Sequence, residues 1–274
     1  MLRYRLASAF VLIPIVLGSV YFGGLAFFAT IAVALLLAGY EFFDMTRRAG
    51  YHPMTLLGLA LIALFLFDTF AHTDSTFKAI FGPESWQREI MTAALFLSLI
   101  FAVFWHGADW LTSWALTFAG VLYIGLLGAS AILVRNLPNG LVWTAIALVT
   151  VWATDTGAYF VGTRIGRHGF FTSISPKKTW EGAIGGTILA MLTMLVLGSL
   201  FAGLEPLQLL AFGFGISIAG TFGDLAESLI KRQTGVKDSG NILPGHGGML
   251  DRIDSLLFAA VFAYYYLVWV LRVS

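Results

Sequence analysis

Residues 182–203, GAIGGTILAMLTMLVLGSLFAG, contain no charged side chain. As a helix, 22 residues rising 1.5 Å each make a rod of about 33 Å, long enough to cross a hydrocarbon core of roughly 30 Å. The same pattern recurs on both sides. Apolar runs between charged or Gly/Pro punctuation predict about nine spans, near residues 6–22, 25–43, 55–71, 90–105, 112–134, 141–162, 182–203, 207–229 and 255–271. Composition agrees: 58% of the 274 residues are hydrophobic, 11% are charged, and the mean hydropathy is +0.85. A water-soluble domain of this size needs more charge to cover its surface. The predicted fold class is all-α, a polytopic membrane helix bundle.

The first run follows Arg3 and Arg5 but lacks a small-residue cleavage site, so it reads as a retained helix rather than a signal peptide. Residues 68–89 read as the longest loop. With the N-terminus in the cytoplasm, 12 of the 16 Lys and Arg fall on inner loops, which sets the orientation and places the C-terminus outside. The net charge of +1 is scattered, with no extended basic face, so nucleic acid is not an expected partner. With no cysteine, any metal must sit on oxygen or imidazole. His52, His72, His106 and His168 show no ligand spacing, which argues against zinc. The halves differ: residues 1–140 are apolar scaffold helices, whereas 141–274 carry the polar residues expected to do chemistry.

Two stretches of the second half stand out. Residues 153–182, ATDTGAYFVGTRIGRHGFFTSISPKKTWEG, place Asp155 inside a membrane run, where an acid marks function or an interhelical pair. Arg164, Arg167, Lys177 and Lys178 then surround Ser173, Ser175 and Thr179, an arrangement suited either to an anion or to lipid headgroups. Residues 223–255, GDLAESLIKRQTGVKDSGNILPGHGGMLDRIDS, carry acids at 224, 227, 238, 251 and 254 and bases at 231, 232, 237 and 252. Lipid anchoring needs no such set of acids. Asp224 with Glu227, and Asp251 with Asp254, are each three apart, so on helices each pair shares a face and can point at one cation. Hard oxygen ligands suit Mg²⁺ bridging to substrate phosphates. Between the pairs, residues 244–248 (PGHGG) allow left-handed backbone angles and close approach to a ligand. Within that turn, His246 reads as a general acid, a phosphate donor or, as lone histidines more often are, a loop residue.

Residues 228–254 resemble the signature segment of phosphatidate cytidylyltransferases, also called CDP-diacylglycerol synthases. The resemblance rests on Ser228, Lys231, Arg232, Lys237, Asp238, Gly240, Pro244, His246, Gly247, Gly248, Asp251, Arg252 and Asp254. Residues 174–182, ISPKKTWEG, resemble the family's second recurrent stretch. Two departures are Thr163, where glycine is expected before Arg164, and the aromatic pair Phe170 and Phe171 in a loop that is usually more basic.

The resemblance implies an all-helical homodimer of the bacterial inner membrane with a polar cavity open to the cytosol, converting CTP and phosphatidic acid to CDP-diacylglycerol. It also implies a metal centre on Asp224 and Asp251, to which Glu227 and Asp254 are added here as ligands. Mg²⁺ is the expected cofactor, and a second, monovalent cation stays open. Lys231, Arg232, Lys237, Asp238 and His246 are expected beside the two metal aspartates in catalysis. Asp155, Ser175, Lys177, Lys178, Glu181, Gly247, Gly248 and Arg252 are expected to bind substrate. A transferase for another lipid phosphate and a cation-coupled transporter are the alternatives. The transporter predicts acids spread over several spans and similar halves.

Overall fold

An apolar chain in lipid must satisfy every backbone amide internally, which leaves helices as the economical solution for these runs. The computed structural model describes residues 2–104, 107, 109–242 and 247–273, with side chains from residue 10 onward. Eleven α-helices are present among the described residues: α1 (Leu2–Phe22), α2 (Gly24–Arg48), α3 (Thr55–Thr73), α4 (Ser75–Phe81), α5 (Gln87–Phe104), α6 (Trp110–Gly120), α7 (Leu127–Asn136), α8 (Gly140–Ile165), α9 (Trp180–Phe201), α10 (Pro206–Gln233) and α11 (Leu250–Tyr265). π-Helical turns at Val121–Leu126 and Tyr266–Val270 join α6 to α7 and extend α11. Eight helical stretches are long and apolar enough to cross a membrane, and α1, apolar from Phe10 to Phe22, adds a shorter one. The fold is an all-α polytopic membrane bundle.

Contacts divide the chain into two units, residues 1–136 with 234–250, and residues 137–233 with 251–274. In the first unit α3 is central and packs against α2, α4, α5, α6 and α7. The Phe43 ring of α2 fills a slot left by two glycines. A Cβ on Gly58 of α3 would lie 2.3 Å from that ring, and one on Gly120 of α6 would lie 2.6 Å from it. The 68–89 stretch is not a loop. Asp68 is buried in α3, where it accepts from Ser85 Oγ at 2.6 Å and from the Trp86 amide at 2.8 Å, and Asp74 caps α4 by accepting from Thr76 and Phe77. These polar groups satisfy one another instead of water, which is why the segment orders.

In the second unit α8 and α9 form an antiparallel pair in which Gly157 faces Gly185 and Gly186, and Gly162 faces Gly182. The small residues Gly182, Gly186, Ala190 and Gly198 of α9, joined by Met194, turn inward. The large ones, Ile184, Ile188, Leu192, Val196 and Leu200, are exposed. This inversion of a soluble helix is expected where lipid covers the outside and close backbone approach holds the inside. α10 continues the layer, its Gly213 meeting the backbone of α9 at Ala190 and Met191.

Candidate active site

The site in the second unit begins with a missing side chain. A Cβ on Gly223 would lie 2.5 Å from the carbonyl oxygen of Asp254 and 3.2 Å from Ser255 Cα, so only glycine lets α10 approach the α11 backbone at this level. The next residues of α10 toward its C-terminus, Asp224 and Glu227, face Asp254 across that contact. One carboxylate oxygen from each of the three lies within 4.8 Å of the others. Glu227 is 0% exposed and Asp254 is buried, whereas Asp224 is half-buried. Asp155 of α8 is within electrostatic reach of Asp224, Asp254, Lys178 and Arg252.

Two lysines answer this charge. Lys178 Nζ pairs with Asp224 Oδ2 at 2.8 Å. Lys231, one turn beyond Glu227 on α10, pairs with Glu227 and holds Asp251 Oδ1 of α11 at 2.7 Å. Asp251 therefore faces Lys231, which joins it to Glu227, and lies within electrostatic reach of that carboxylate. Two like charges within 4.8 Å repel by roughly 3 kcal/mol or more at an effective dielectric near 20. Glu227 Oε1 is buried and accepts no hydrogen bond from the described residues. An all-oxygen donor set with a spare buried lone pair fits a hard divalent cation such as Mg²⁺.

Lys178 arrives on a short loop that the backbone closes on itself. Phe170 N–H donates to Lys178 O at 2.8 Å, Trp180 N–H donates to His168 O at 2.9 Å, and Gly169 pairs with Thr179 in an isolated antiparallel bridge. Glu181, in the first turn of α9, accepts from the Arg167 and His168 amides and has His168 Nδ1 at 2.6 Å. Its carboxylate is thus occupied as a loop clamp. Phe170, an unexpected aromatic here, is buried with its ring centroid 4.5 Å from that of Trp180, so the departure from a basic loop has a packing role. Arg232 reaches from α10 to donate to Ile174 O at 3.2 Å. Ser175 is half-buried beside it in sequence, and Lys177 and Arg252 are exposed.

The remaining expected residues belong to the first unit. Lys237 and Asp238 are exposed there. Gly247 has φ 84°, a left-handed angle of the kind foreseen for this turn, and a Cβ on Gly248 would collide with Ser239 Oγ and Glu41. Pro244, Gly245, His246 and, elsewhere, His106 lie outside the described residues. No histidine joins the carboxylate group among the described residues.

Sequence reasoning passed over Glu41. It lies within the α2 span and is 2% exposed, yet only Asp155 was singled out by the rule that an acid in an apolar run needs a reason. The same rule, applied evenly, finds it.

The model of the Cytidylyltransferase family matches residues 3–270. The chain is 34% identical over 275 residues to a phosphatidate cytidylyltransferase of Bacillus subtilis, covering 97% of both chains. It is 33% identical to one from Synechocystis, covering 98% of this chain and 97% of the relative. A phosphatidate cytidylyltransferase of Brucella suis is 44% identical over 152 residues, 53% of this chain and 54% of that one.

Proposed function

The chain belongs to the cytidylyltransferase family, and from that premise we propose that it transfers the cytidylyl group of CTP to phosphatidic acid, giving CDP-diacylglycerol and pyrophosphate. An oxygen of the lipid phosphate attacks the α-phosphorus of CTP in line. The new P–O bond forms as the bond to the β-phosphate oxygen breaks, and pyrophosphate leaves with its electron pair. The nucleophile is already an anion, so the residues need to position and neutralise rather than to act as a strong base.

Asp224, Glu227 and Asp254 are the ligands in this reading, with Asp251 beside them through Lys231. A bound Mg²⁺ supplies charge neutralisation at the triphosphate. Lys178 and Lys231 screen the repulsion among the carboxylates and offer positive charge to incoming phosphates. Lys177, Arg232 and Arg252 add to that charge, and Ser175 contributes a hydrogen bond. Glu227 and Asp224 lie six and nine residues before Gln233, the last residue of α10. At 1.5 Å per residue that is about 9 and 14 Å from the helix end. A lipid phosphate at the interface and a soluble nucleotide can both reach that depth. The protein is read as lying in the bacterial cytoplasmic membrane with its N-terminus and this end of the helices on the cytosolic side, and as a homodimer.

The observation that carries the proposal is the carboxylate trio, two of its members buried, flanked by two lysines at one end of a membrane bundle. Detergent-purified protein given CTP and a panel of lipid phosphates, with and without Mg²⁺, is expected to release pyrophosphate with phosphatidic acid and metal together. Release only with another lipid phosphate moves the substrate within the family, and no CTP turnover with any of them refutes the reading.

A further inference from the structure

Glu41 is separated by about two hundred residues from every group it holds. Its Oε2 accepts from the Leu250 amide at 2.8 Å and from Ser239 Oγ at 3.1 Å, and its Oε1 accepts from the Met249 amide at 3.0 Å. Two glycines make room for the carboxylate. A Cβ on Gly240 would stand 2.5 Å from Oε1, and one on Gly248 would stand 2.6 Å from Oε2. Leu250 is the first residue of α11, and Asp251 follows it. Within the first turn of that helix the amides have no intrahelical acceptor, and a carboxylate there is favoured by both hydrogen bonding and the helix dipole. The local sequence before Leu250 is Gly247, Gly248 and Met249, none of which carries a capping side chain. Glu41 does that work from α2, and it ties both ends of the 239–250 segment to one rigid helix.

We infer that Glu41 is a positioning residue for the transfer reaction: its carboxylate holds residues 239–240 against 248–250, and through Leu250 sets the start of the helix that carries Asp251 and Asp254. The inference rests on the cytidylyltransferase reading for its kinetic consequence, but not for its structural one. Gln is close to Glu in shape yet can accept on one side only. In Glu41→Gln the amide NH₂ faces either the Met249 N–H or the Leu250 N–H, and that donor loses its acceptor.

The test compares wild type, Glu41→Gln, Glu41→Asp and Gly240→Ala as purified full-length proteins. The last pushes on the same carboxylate, its Cβ 2.5 Å from Oε1. Amide hydrogen exchange is followed over residues 239–255 and, as internal reference, over α3. Glu41→Gln is expected to speed exchange at one of Met249 and Leu250, and Gly240→Ala at either or both, by about tenfold or more, in line with a lost hydrogen bond to a charged group, while α3 is unchanged. KM for CTP rises by a similar factor, and KM for phosphatidic acid stays within about twofold. A merely structural role lowers the folded fraction, hence apparent kcat, and leaves KM alone. Glu41→Asp is expected to restore part of the protection and of the CTP affinity. Unchanged exchange at 249–250 overturns the inference, as does exchange that rises equally in α3. If wild type turns over no CTP, the functional reading falls, and the exchange comparison still decides whether Glu41 orders the segment.

Discussion

Replacing Gly223 by alanine tests the carboxylate trio without touching any of its members. The added Cβ would stand 2.5 Å from the carbonyl oxygen of Asp254, 3.2 Å from its carbonyl carbon and 3.2 Å from Ser255 Cα, all backbone atoms that cannot swing aside. Moving from 2.5 Å to the 3.4 Å edge of ordinary contact opens the helices by 0.9 Å. Overpacking of this kind costs about 1–3 kcal/mol, which a helical membrane bundle can survive. The larger effect is on geometry, because Asp254 rides on the displaced backbone while Asp224 and Glu227 stay on α10. A misplacement near 1 Å lowers turnover by about a hundredfold. The Mg²⁺ concentration for half-maximal rate should rise as well. Gly220→Ala, one turn earlier on the same helix, is the control. Its Cβ would meet Ser255 Cβ at 3.6 Å, an ordinary contact, and activity should stay within about twofold. Pyrophosphate release by purified protein, titrated with Mg²⁺, reads both. Wild-type turnover and metal dependence in Gly223→Ala would refute the claim that close α10–α11 approach assembles the site.

Asp254→Asn, and separately Asp251→Asn, should lower turnover by about a thousandfold or more while the protein still inserts and elutes as wild type; near wild-type rates in either remove that residue from the centre. Lys231→Met strands the buried Glu227 and the half-buried Asp251, so its thermal midpoint in detergent should drop by the equivalent of about 3 kcal/mol. Adding Asp251→Asn should recover part of that stability but no activity. Gly186→Val drives a side chain into the Thr154 carbonyl, 2.6 Å from the added Cβ, and should destabilise by about 1–3 kcal/mol without changing KM in the folded fraction. Glu181→Gln loosens the clamp on Arg167 and His168 and should raise KM for CTP by about tenfold with a smaller change in kcat, measured by initial rates.

The helices were legible because hydropathy reports depth in the bilayer, and each predicted run from 25–43 onward lies largely within a helix. The meeting of Asp224, Glu227 and Asp254 was legible in part. Spacing by three places Asp224 and Glu227 on one face, but it also pairs Asp251 with Asp254, and spacing alone does not show that Lys231 takes the first of these. Hydropathy carries no information about lateral neighbours, so it does not show that the Gly182–Gly186–Ala190 stripe turns inward or against what. Residues 68–89 misread as a loop because polar composition looks the same whether side chains meet water or one another. The partners of Glu41 were hidden by distance along the chain: nothing near residue 41 hints at donors near residue 250.

That separation has a consequence for biogenesis. Glu41 and Leu250 are 209 residues apart, so at about 5–20 residues per second a ribosome delivers α2 roughly 10–40 s before the amides that will receive its carboxylate. Through that interval an acid sits about 10 Å inside the Arg48 end of a nascent span with no mate, and the insertion apparatus must keep it hydrated or shielded. A nascent chain halted before residue 250 leaves the first unit unsealed. The C-terminal signature thus completes the N-terminal scaffold, because Glu41 meets these donors only once that stretch is made.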